Sequence, residues 1–372
     1  MRHSLHPFAI VTFLSILGWL GNVEAQTVAT DPVGAITLTL KGGSDTHVSL
    51  PFHRPVALET QAQSISGNVT AATITVSASA NLTASQFVYV AGSQTNTYYL
   101  QFTSGSRNGM YYTVTTNDGS TITVDPNGDA GLVANVNSGD TFRVIPYWTL
   151  NTLFPSGQGL YTSPSLTPQS SILIPPGKTA GINLSAAGIY YYYTGTGGPA
   201  WLKLGDFNLY PDVTLPPDAF FIVRHPVSVA DTQLLLVGNV PMSSQSIIVN
   251  NLAPNTPQDN SVALPVPIPV TLAASGLSSV LAPSPSLTPT DELLVFDPTV
   301  VAQNKSATAI YYYYTGPGGP LWLLQGDQTF SAQDNQPVFQ PGYGYLLRRA
   351  PQATASSSVW TFTPPYLSTL NN

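Results

Sequence analysis

Cysteine is absent from this 372-residue chain, which excludes disulfide bonds, thiolate metal sites, iron–sulfur clusters and cysteine nucleophiles. Charge is also scarce, because Asp, Glu, Lys and Arg together make up 8% of the residues, against about 25% in an average globular protein. The 11 basic residues are outnumbered by 18 acidic ones, whereas nucleic-acid binding needs clustered Lys and Arg. The composition therefore argues against a nucleic-acid ligand and predicts a mostly neutral surface.

A long hydrophobic run occurs only at the N-terminus, and it is too short to span a membrane. Phe8–Gly21 is apolar, follows Arg2 and precedes Val23-Glu24-Ala25, a small-x-small sequence typical of signal-peptide cleavage. Residues 1–25 are therefore predicted to be a signal peptide, with the mature chain starting at Gln26. We expect an exported protein, located in the periplasm, on the outer surface or outside the cell, with no membrane span after signal removal.

Helical periodicity is almost absent, and short alternating runs rich in β-branched and aromatic residues replace it. In Ala35–Leu40, Ala72–Val76 and Ser120–Val124, apolar side chains alternate with Thr, Ser or another small residue, as in strands with one buried face. Asn117-Asp118-Gly119, between two such runs, indicates a hairpin turn. The sequence predicts an all-β fold of antiparallel sandwich or barrel domains.

Part of the chain is an internal duplication. Residues 163–206 align on 284–327 without a gap, at an offset of 121 residues, with 24 identities in 44 positions. A weaker similarity links Val48–Pro51 to Val262–Pro265. It suggests a further, interrupted copy near the N-terminus, with a small barrel inserted in or adjacent to the first copy.

These patterns predict a series of segments after the signal peptide. They are N-terminal strands with a possible interrupted copy at 26–65, a small β-barrel or sandwich at 66–146, repeat unit 1 at 147–268, repeat unit 2 at 269–351 and a Ser/Thr/Pro-rich tail at 352–372.

Several short motifs occur along the chain: Ala29-Thr30-Asp31-Pro32-Val33-Gly34 shortly after the predicted cleavage site, and then Gln86–Tyr89, Phe102–Gly105, Gly139-Asp140, Ile145–Leu150 and Phe154-Pro155. Together they resemble those of an uncharacterised family of exported, β-rich bacterial proteins. The resemblance covers about residues 29–351. It implies export and a single-family architecture, and it implies no activity, substrate or catalytic residue.

Carboxylates suited to acid–base hydrolysis are few. Asp140, Asp206 and Asp327 each follow a glycine, where a carboxylate that accepts backbone N–H bonds within a turn explains the residue. Hydrolysis of a glycosidic bond needs two carboxylates facing one cleft. We expect these three residues to be turn formers.

Histidines are similarly sparse in the predicted mature chain. His47 and His53 flank a predicted strand and could bind a metal together with Asp45, but we interpret them as isolated surface histidines. His225 aligns with Arg349 of the second repeat, and the chain has no G-x-S-x-G nucleophile motif. We therefore expect no enzymatic activity, with a secreted hydrolase as the least favoured alternative.

Calcium is the single candidate cofactor. Asp125, Asn127 and Asp129 place oxygen-bearing side chains at alternate positions, as calcium loops do, but Ala130 and Val136 stand where an EF-hand needs glycine and glutamate. A plain turn rich in Asx residues is the favoured interpretation, with calcium binding as the alternative.

The most distinctive repeated chemistry is aromatic. The candidate ligand-binding residues are Tyr190, Tyr191, Tyr192, Tyr193 and Trp201, repeated as Tyr311, Tyr312, Tyr313, Tyr314 and Trp322. Alternate tyrosines of a strand face opposite sides, so each set has two interpretations: packing within the sheet, which we favour, or an exposed platform for sugars or a partner protein.

The sequence thus predicts an exported structural or adhesive β-rich protein. The alternative is a carbohydrate-binding protein that uses the repeated Tyr and Trp residues. The expected partners are glycans or other surface proteins, and the oligomeric state is left open.

Overall fold

A computed structural model describes residues 31–177, 179–206 and 208–370, and it confirms the all-β class. The predicted signal peptide and Gln26 lie outside these described residues. Helices are short and few in this part of the chain: α1 (Leu132–Asn135), α2 (Leu150–Leu153), α3 (Tyr366–Leu370) and 3-10 turns at Ala78–Ala80, Gly105–Arg107, Pro155–Gly157 and Leu277–Ser279. None of the helices in the described ranges has the length and hydropathy of a membrane-spanning segment.

Two strands precede a closed six-stranded antiparallel barrel. The first two are β1 (Val33–Leu40) and β2 (Asp45–Val48); the barrel strands are β3 (Leu58–Gly67), β4 (Ala72–Val76), β5 (Tyr98–Phe102), β6 (Tyr111–Asn117), β7 (Thr121–Asp125) and β8 (Thr141–Pro146). They are ordered β3-β4-β7-β6-β5-β8, with β8 pairing back onto β3. The barrel starts at Leu58 rather than at residue 66, and the predicted hairpin at Asn117-Asp118-Gly119 joins β6 to β7.

The first repeat follows the barrel. Its strands are β9 (Trp148–Thr149), β10 (Ser171–Ile174), β11 (Gly188–Tyr193), β12 (Ala200–Lys203), β13 (Thr214–Leu215), β14 (Phe221–Arg224) and β15 (Thr232–Asn239). A five-stranded sheet has the order β12-β11-β10-β14-β2, and β15 pairs with β1 in a separate two-stranded ribbon. Strands β1 and β2, which precede the barrel in the sequence, therefore complete the ribbon and the five-stranded sheet of this copy.

The second copy repeats this arrangement without a barrel. Its strands are β16 (Gln245–Asn251), β17 (Gln258–Val262), β18 (Glu292–Val295), β19 (Ala309–Tyr314), β20 (Leu321–Leu324), β21 (Tyr345–Arg349) and β22 (Ser356–Phe362). The five-stranded sheet is ordered β20-β19-β18-β21-β17, and β16 pairs with β22 as a ribbon.

Seven strands of the two copies correspond, whereas the β9–β13 pair of the first copy has no counterpart among the described strands of the second. Val48 of β2 pairs with Phe221, and Val262 of β17 pairs with Tyr345, so the weak similarity near the N-terminus marks the outermost sheet strand of each copy. The described chain thus holds two copies, residues 33–239 and 245–362, and the barrel lies between β2 and β9 of the first.

Each copy buries its core between the five-stranded sheet and its ribbon. In the first copy Leu38 and Leu236 of the ribbon pack with Trp201 and Phe221 of the sheet. In the second copy Trp360 of the ribbon belongs to the same cluster as sheet residues of β18, β20 and β21. Burying an aliphatic or aromatic side chain contributes about 1.5–3 kcal/mol, so these clusters supply the main stabilisation of a chain without disulfides.

Candidate functional site: the cleft between the two copies

A partly buried ion pair occupies the same position in each copy. Asp45, 3% exposed at its side chain, accepts hydrogen bonds from Arg224 Nε and Nη2, both at 2.7 Å. In the second copy Asp259 accepts from Arg348 Nε at 2.8 Å and from Nη2 at 3.1 Å. Strand pairing aligns both pairs, because Asp45 lies opposite Arg224 and Asp259 lies opposite Arg348.

A loop from the opposite copy completes each ion pair. The Asn304 backbone N–H of the second copy donates to Asp45 Oδ2 at 2.7 Å, and Arg224 Nη2 donates to Asn304 Oδ1 at 2.6 Å. The reciprocal bonds run from the Asn183 N–H to Asp259 Oδ2 at 2.8 Å and from Arg348 Nη2 to Asn183 Oδ1 at 3.0 Å. Both asparagines have a left-handed backbone, with φ of 50° and 52°, which asparagine adopts more readily than most residues.

Backbone hydrogen bonds repeat the same reciprocity. The Asp45 N–H donates to the Ala302 carbonyl at 2.9 Å, and the Asp259 N–H donates to the Gly181 carbonyl at 3.0 Å. Ala302 and Gly181 are 121 residues apart, the offset of the sequence repeat. Contacts in which residue i of one unit binds j of the other, and j binds i, define an isologous interface. The two copies therefore face each other like the subunits of a twofold dimer.

An open cleft of about 340 Å³ lies between the facing sheets. Strand alternation explains its lining: Phe221 and Val223 point into the first core, so Phe220, Ile222 and Arg224 of the same segment face the cleft. The second copy contributes Leu346 and the loop that follows β18. The lining combines apolar residues such as Ile222 and Leu346 with Asp45, Arg224 and Asp259 of the two ion pairs.

The twofold relation breaks down at the cleft, where one side carries large residues and the other small ones. Phe220 corresponds to Gly344, and a Cβ on Gly344 would lie 2.0 Å from the Phe220 Cβ. Two phenylalanines therefore cannot occupy both positions. Three further cleft residues are also larger than their equivalents in the other copy: His47 against Ser261, Phe296 against Pro175, and Lys305 against Leu184.

His47 is the most unusual polar group in the cleft lining. Its ring stacks on Phe296 at 4.2 Å and 12°, and meets the edge of Phe220 at 5.0 Å. The residue is 9% exposed, and neither ring nitrogen has a hydrogen-bond partner among the described residues. Burial lowers the pKa of His47 to about 4, so the imidazole is neutral near pH 7. The prediction of a surface histidine was wrong, because β2 is covered by the second copy.

Lys305 is the second distinctive polar group. It is half-buried, its Nζ donates to the Asp297 carbonyl at 3.2 Å, and within the described ranges it has no carboxylate at ion-pair distance. Burial lowers the pKa of Lys305, against a smaller opposing effect of Asp45 and Asp297. Arg224, by contrast, has its charge matched by Asp45. The cleft lining thus contains one cation without a direct counter-ion.

The predicted aromatic candidates lie mainly inside the two sandwiches. Trp201 is 2% exposed and Trp322 is 1% exposed, and each packs against a tyrosine of the neighbouring strand. Four of the eight tyrosines are buried, and four are partly exposed: Tyr191, Tyr192, Tyr312 and Tyr314 are buried, and Tyr190, Tyr193, Tyr311 and Tyr313 are intermediate. None of the ten residues lines the cleft. The structure places the two sets in separate sheets, where packing accounts for both tryptophans.

The calcium candidates form a turn with its own partners. Asp129 makes an ion pair with Arg107 at 3.0 Å and accepts hydrogen bonds from the Tyr112 hydroxyl and the Gly131 N–H. Asp125 accepts from the Asn127 N–H at 2.8 Å. Among the described residues, no group of three or more His, Cys, Asp or Glu side chains is arranged to hold a metal.

The turn interpretation of the Gly-Asp carboxylates is supported by their hydrogen bonds. Asp140 accepts from the Asn137 N–H, Asp206 from the Asn208 N–H and Asp327 from the Thr329 N–H, at 2.8–3.0 Å. Each carboxylate is therefore engaged locally in its turn.

His225 sits in a buried neutral network. Its Nδ1 lies 2.8 Å from Ser170 Oγ and its Nε2 lies 2.8 Å from Thr232 Oγ1. His225 is 0% exposed and Ser170 is 1% exposed, so no substrate reaches the serine. The equivalent residues of the second copy, Asp291 and Arg349, form a buried ion pair at 3.0 Å.

A second cavity of about 320 Å³ adjoins the cleft and shares Pro176, Asp259 and Ser261 with it. It lies where the barrel meets both copies, and there the Tyr111 hydroxyl donates to Asp218 Oδ1 at 2.7 Å. Burial raises the pKa of the Asp218 carboxyl. This contact ties the barrel to the loop before β14.

Comparison of the chain with protein-family models, with curated proteins and with solved structures gives no match.

Proposed function

We propose that this chain is an exported, non-catalytic binding protein that holds a small molecule in the cleft between its two copies. The observation that carries the proposal is His47, a mostly buried side chain in the cleft lining whose ring nitrogens make no hydrogen bond to the described residues. The imidazole is therefore available to bond to a ligand in the cleft.

Size and rigidity support the same conclusion. Small-molecule sites are usually preformed clefts of roughly 300–1,000 Å³, apolar with a few fixed polar groups, and a cleft of about 340 Å³ falls in that range. The two reciprocal ion pairs hold its walls from both sides. A preorganised cleft avoids much of the ordering cost of binding.

The charged residues of the cleft support binding rather than catalysis. Asp45 and Asp259 line it, and each carboxylate accepts two arginine hydrogen bonds and one backbone hydrogen bond. A general acid or base needs a carboxyl group whose proton is exchangeable near the working pH. Both carboxylates are instead committed to holding the two copies together.

A structural or adhesive role is the second candidate, and a specific surface favours it. The outward face of the β1–β15 ribbon exposes Val33, Leu235 and Val237 at 69%, 55% and 42%. On the equivalent face of the second copy, Ile248 packs against the barrel core, and Ser246 bonds to the Asn108 carbonyl. Self-association in light scattering that is lost in Leu235→Lys would support this role, and a strictly monomeric protein would oppose it.

A ligand-observed NMR screen of a fragment library, including simple sugars, tests the binding proposal. Ser261 lies in the cleft lining, and Ser261→Trp would fill the cleft, whereas Ser357→Trp adds the same side chain on the exposed part of β22. We expect fragments that bind the wild type and Ser357→Trp but not Ser261→Trp. A library with no binders, or with binders that Ser261→Trp leaves unaffected, would refute the proposal.

A further inference from the structure

We infer that the ligand of the cleft is a small monocarboxylic acid with a compact apolar body, held by its carboxylate between Lys305 and His47. This inference rests on the proposed binding function and specifies the class of ligand. Three features of the cleft lining support it: the Lys305 ammonium without a direct ion pair, the hydrogen-bond donors of His47 and Asn304, and the apolar side chains.

Among the charged residues of the cleft lining, Asp45 is paired with Arg224, and Asp259 is paired with Arg348, which is not part of the lining. Lys305 makes no direct ion pair within the described structure: its ammonium donates to the Asp297 carbonyl, and the Asp45 and Asp297 carboxylates act on it at longer range. A half-buried ammonium without a direct counter-ion favours a ligand with a single negative charge, because desolvated charges are stable when paired. The whole chain carries a formal charge of −7, so the positive charge of Lys305 is local to the cleft and is not part of a generally positive protein.

His47 and Asn304 provide hydrogen-bond donors in the cleft lining. The neutral ring of His47 carries one N–H and makes no hydrogen bond to the described residues. Asn304 Oδ1 already accepts from Arg224, which leaves the Asn304 NH₂ group as a donor at the cleft. An ionised carboxylate only accepts hydrogen bonds, and charge-assisted bonds of this kind are about twice as strong as neutral ones.

The cleft lining also offers apolar surface. Pro175 and Leu184 take the places that Phe296 and Lys305 have in the other copy, and Ile222 and Leu346 line the cleft as well. An acid with a hydrocarbon or phenyl body would cover these side chains while its head meets Lys305. The asymmetry between the two copies thus fixes one orientation of the ligand.

Isothermal titration calorimetry with octanoate and 3-phenylpropionate, and with octanamide and 3-phenylpropionamide, tests this inference. The amides keep the shape and remove the charge. We expect the acids to bind at least about tenfold more tightly than the amides, as a charge-assisted bond predicts. Lys305→Leu, which copies Leu184 of the other half, should abolish the difference, and His47→Ser, which copies Ser261, should weaken acid binding.

The control Lys203→Leu removes a lysine that does not line the cleft and should bind like the wild type; unchanged melting temperatures would show that the variants fold. Amides that bind as tightly as acids, or acid binding that survives Lys305→Leu, would overturn the carboxylate inference, and the proposed function would stand. Absence of acid binding, with fragments of another class still blocked by Ser261→Trp, would overturn it in the same way. Absence of every cleft binder would overturn both.

Discussion

Replacing the buried ion pair Asp291–Arg349 by the neutral pair of the other copy should be far less harmful than breaking it. Asp291 is 0% exposed at its side chain and Arg349 is 8% exposed. Ser170 and His225 occupy the equivalent positions and are joined by one hydrogen bond of 2.8 Å. The equivalent positions thus hold an ionic pair in the second copy and a neutral pair in the first.

The magnitudes follow from what each change leaves behind. Asp291→Ser leaves the buried Arg349 charge without its partner, and Arg349→His does the same to the Asp291 carboxylate. Removing one partner of a buried ion pair costs about 3–5 kcal/mol. The double variant leaves no buried charge. It still loses the bond from the Ala350 N–H to Asp291, which costs about 1–2 kcal/mol; the first copy avoids this loss because its equivalent residue is Pro226, which has no N–H.

Urea unfolding of the wild type, both single variants and the double variant, followed by tryptophan fluorescence, gives the coupling directly. The double variant should be more stable than either single variant, with a coupling energy of at least about 3 kcal/mol. A double variant as unstable as the sum of the two single variants would refute the structural equivalence of the two pairs.

Three further predictions follow from the structure. Stability should fall as the pH drops from about 6.5 to about 4, because burial lowers the pKa of His47 to about 4 and the unfolded chain then binds more protons; His47→Ser should remove as much as about 3 kcal/mol of this loss in urea titrations, and parallel curves would contradict it. Gly344→Ala should destabilise the protein by about 1–3 kcal/mol through contact with the Phe220 Cβ. Phe220→Gly removes a buried ring and is itself destabilising, but Gly344→Ala should have little further effect on the melting temperature in that background; an undiminished effect there would refute this contact. Millimolar calcium should leave the melting temperature unchanged, because the Asp129 carboxylate is bound by Arg107; a clear rise of the melting temperature would contradict this prediction and support calcium binding.

Local patterns were sufficient to predict the strands and the central part of the duplication. The alternation in Ala72–Val76 gives a buried face in β4, and the four consecutive tyrosines of each copy mark β11 and β19. The ends of the two copies could not be recognised as repeats from the sequence, because they share only their hydrophobic character. Ile36 opposite Leu236, for example, corresponds to Ile247 opposite Trp360.

The cleft could not be located from local patterns, because its residues come from distant parts of the chain. Asp45 and Arg224 are separated by 179 positions, and their third partner, Asn304, belongs to the other copy. A sequence signal did exist: Asn183 recurs as Asn304 at the repeat offset. The repeated aromatic residues are the stronger sequence signal, although strand packing accounts for Trp201 and Trp322.

The most direct test of the account uses the absence of cysteine from the chain. Ser261→Cys would place a single thiol in the cleft lining, and Ser357→Cys would place one on the exposed part of β22. We predict that a small thiol reagent labels both variants, and that saturating 3-phenylpropionate slows labelling at position 261 at least about tenfold without affecting position 357. Equal labelling rates at position 261 with and without the acid would contradict a carboxylate-binding cleft between the two copies.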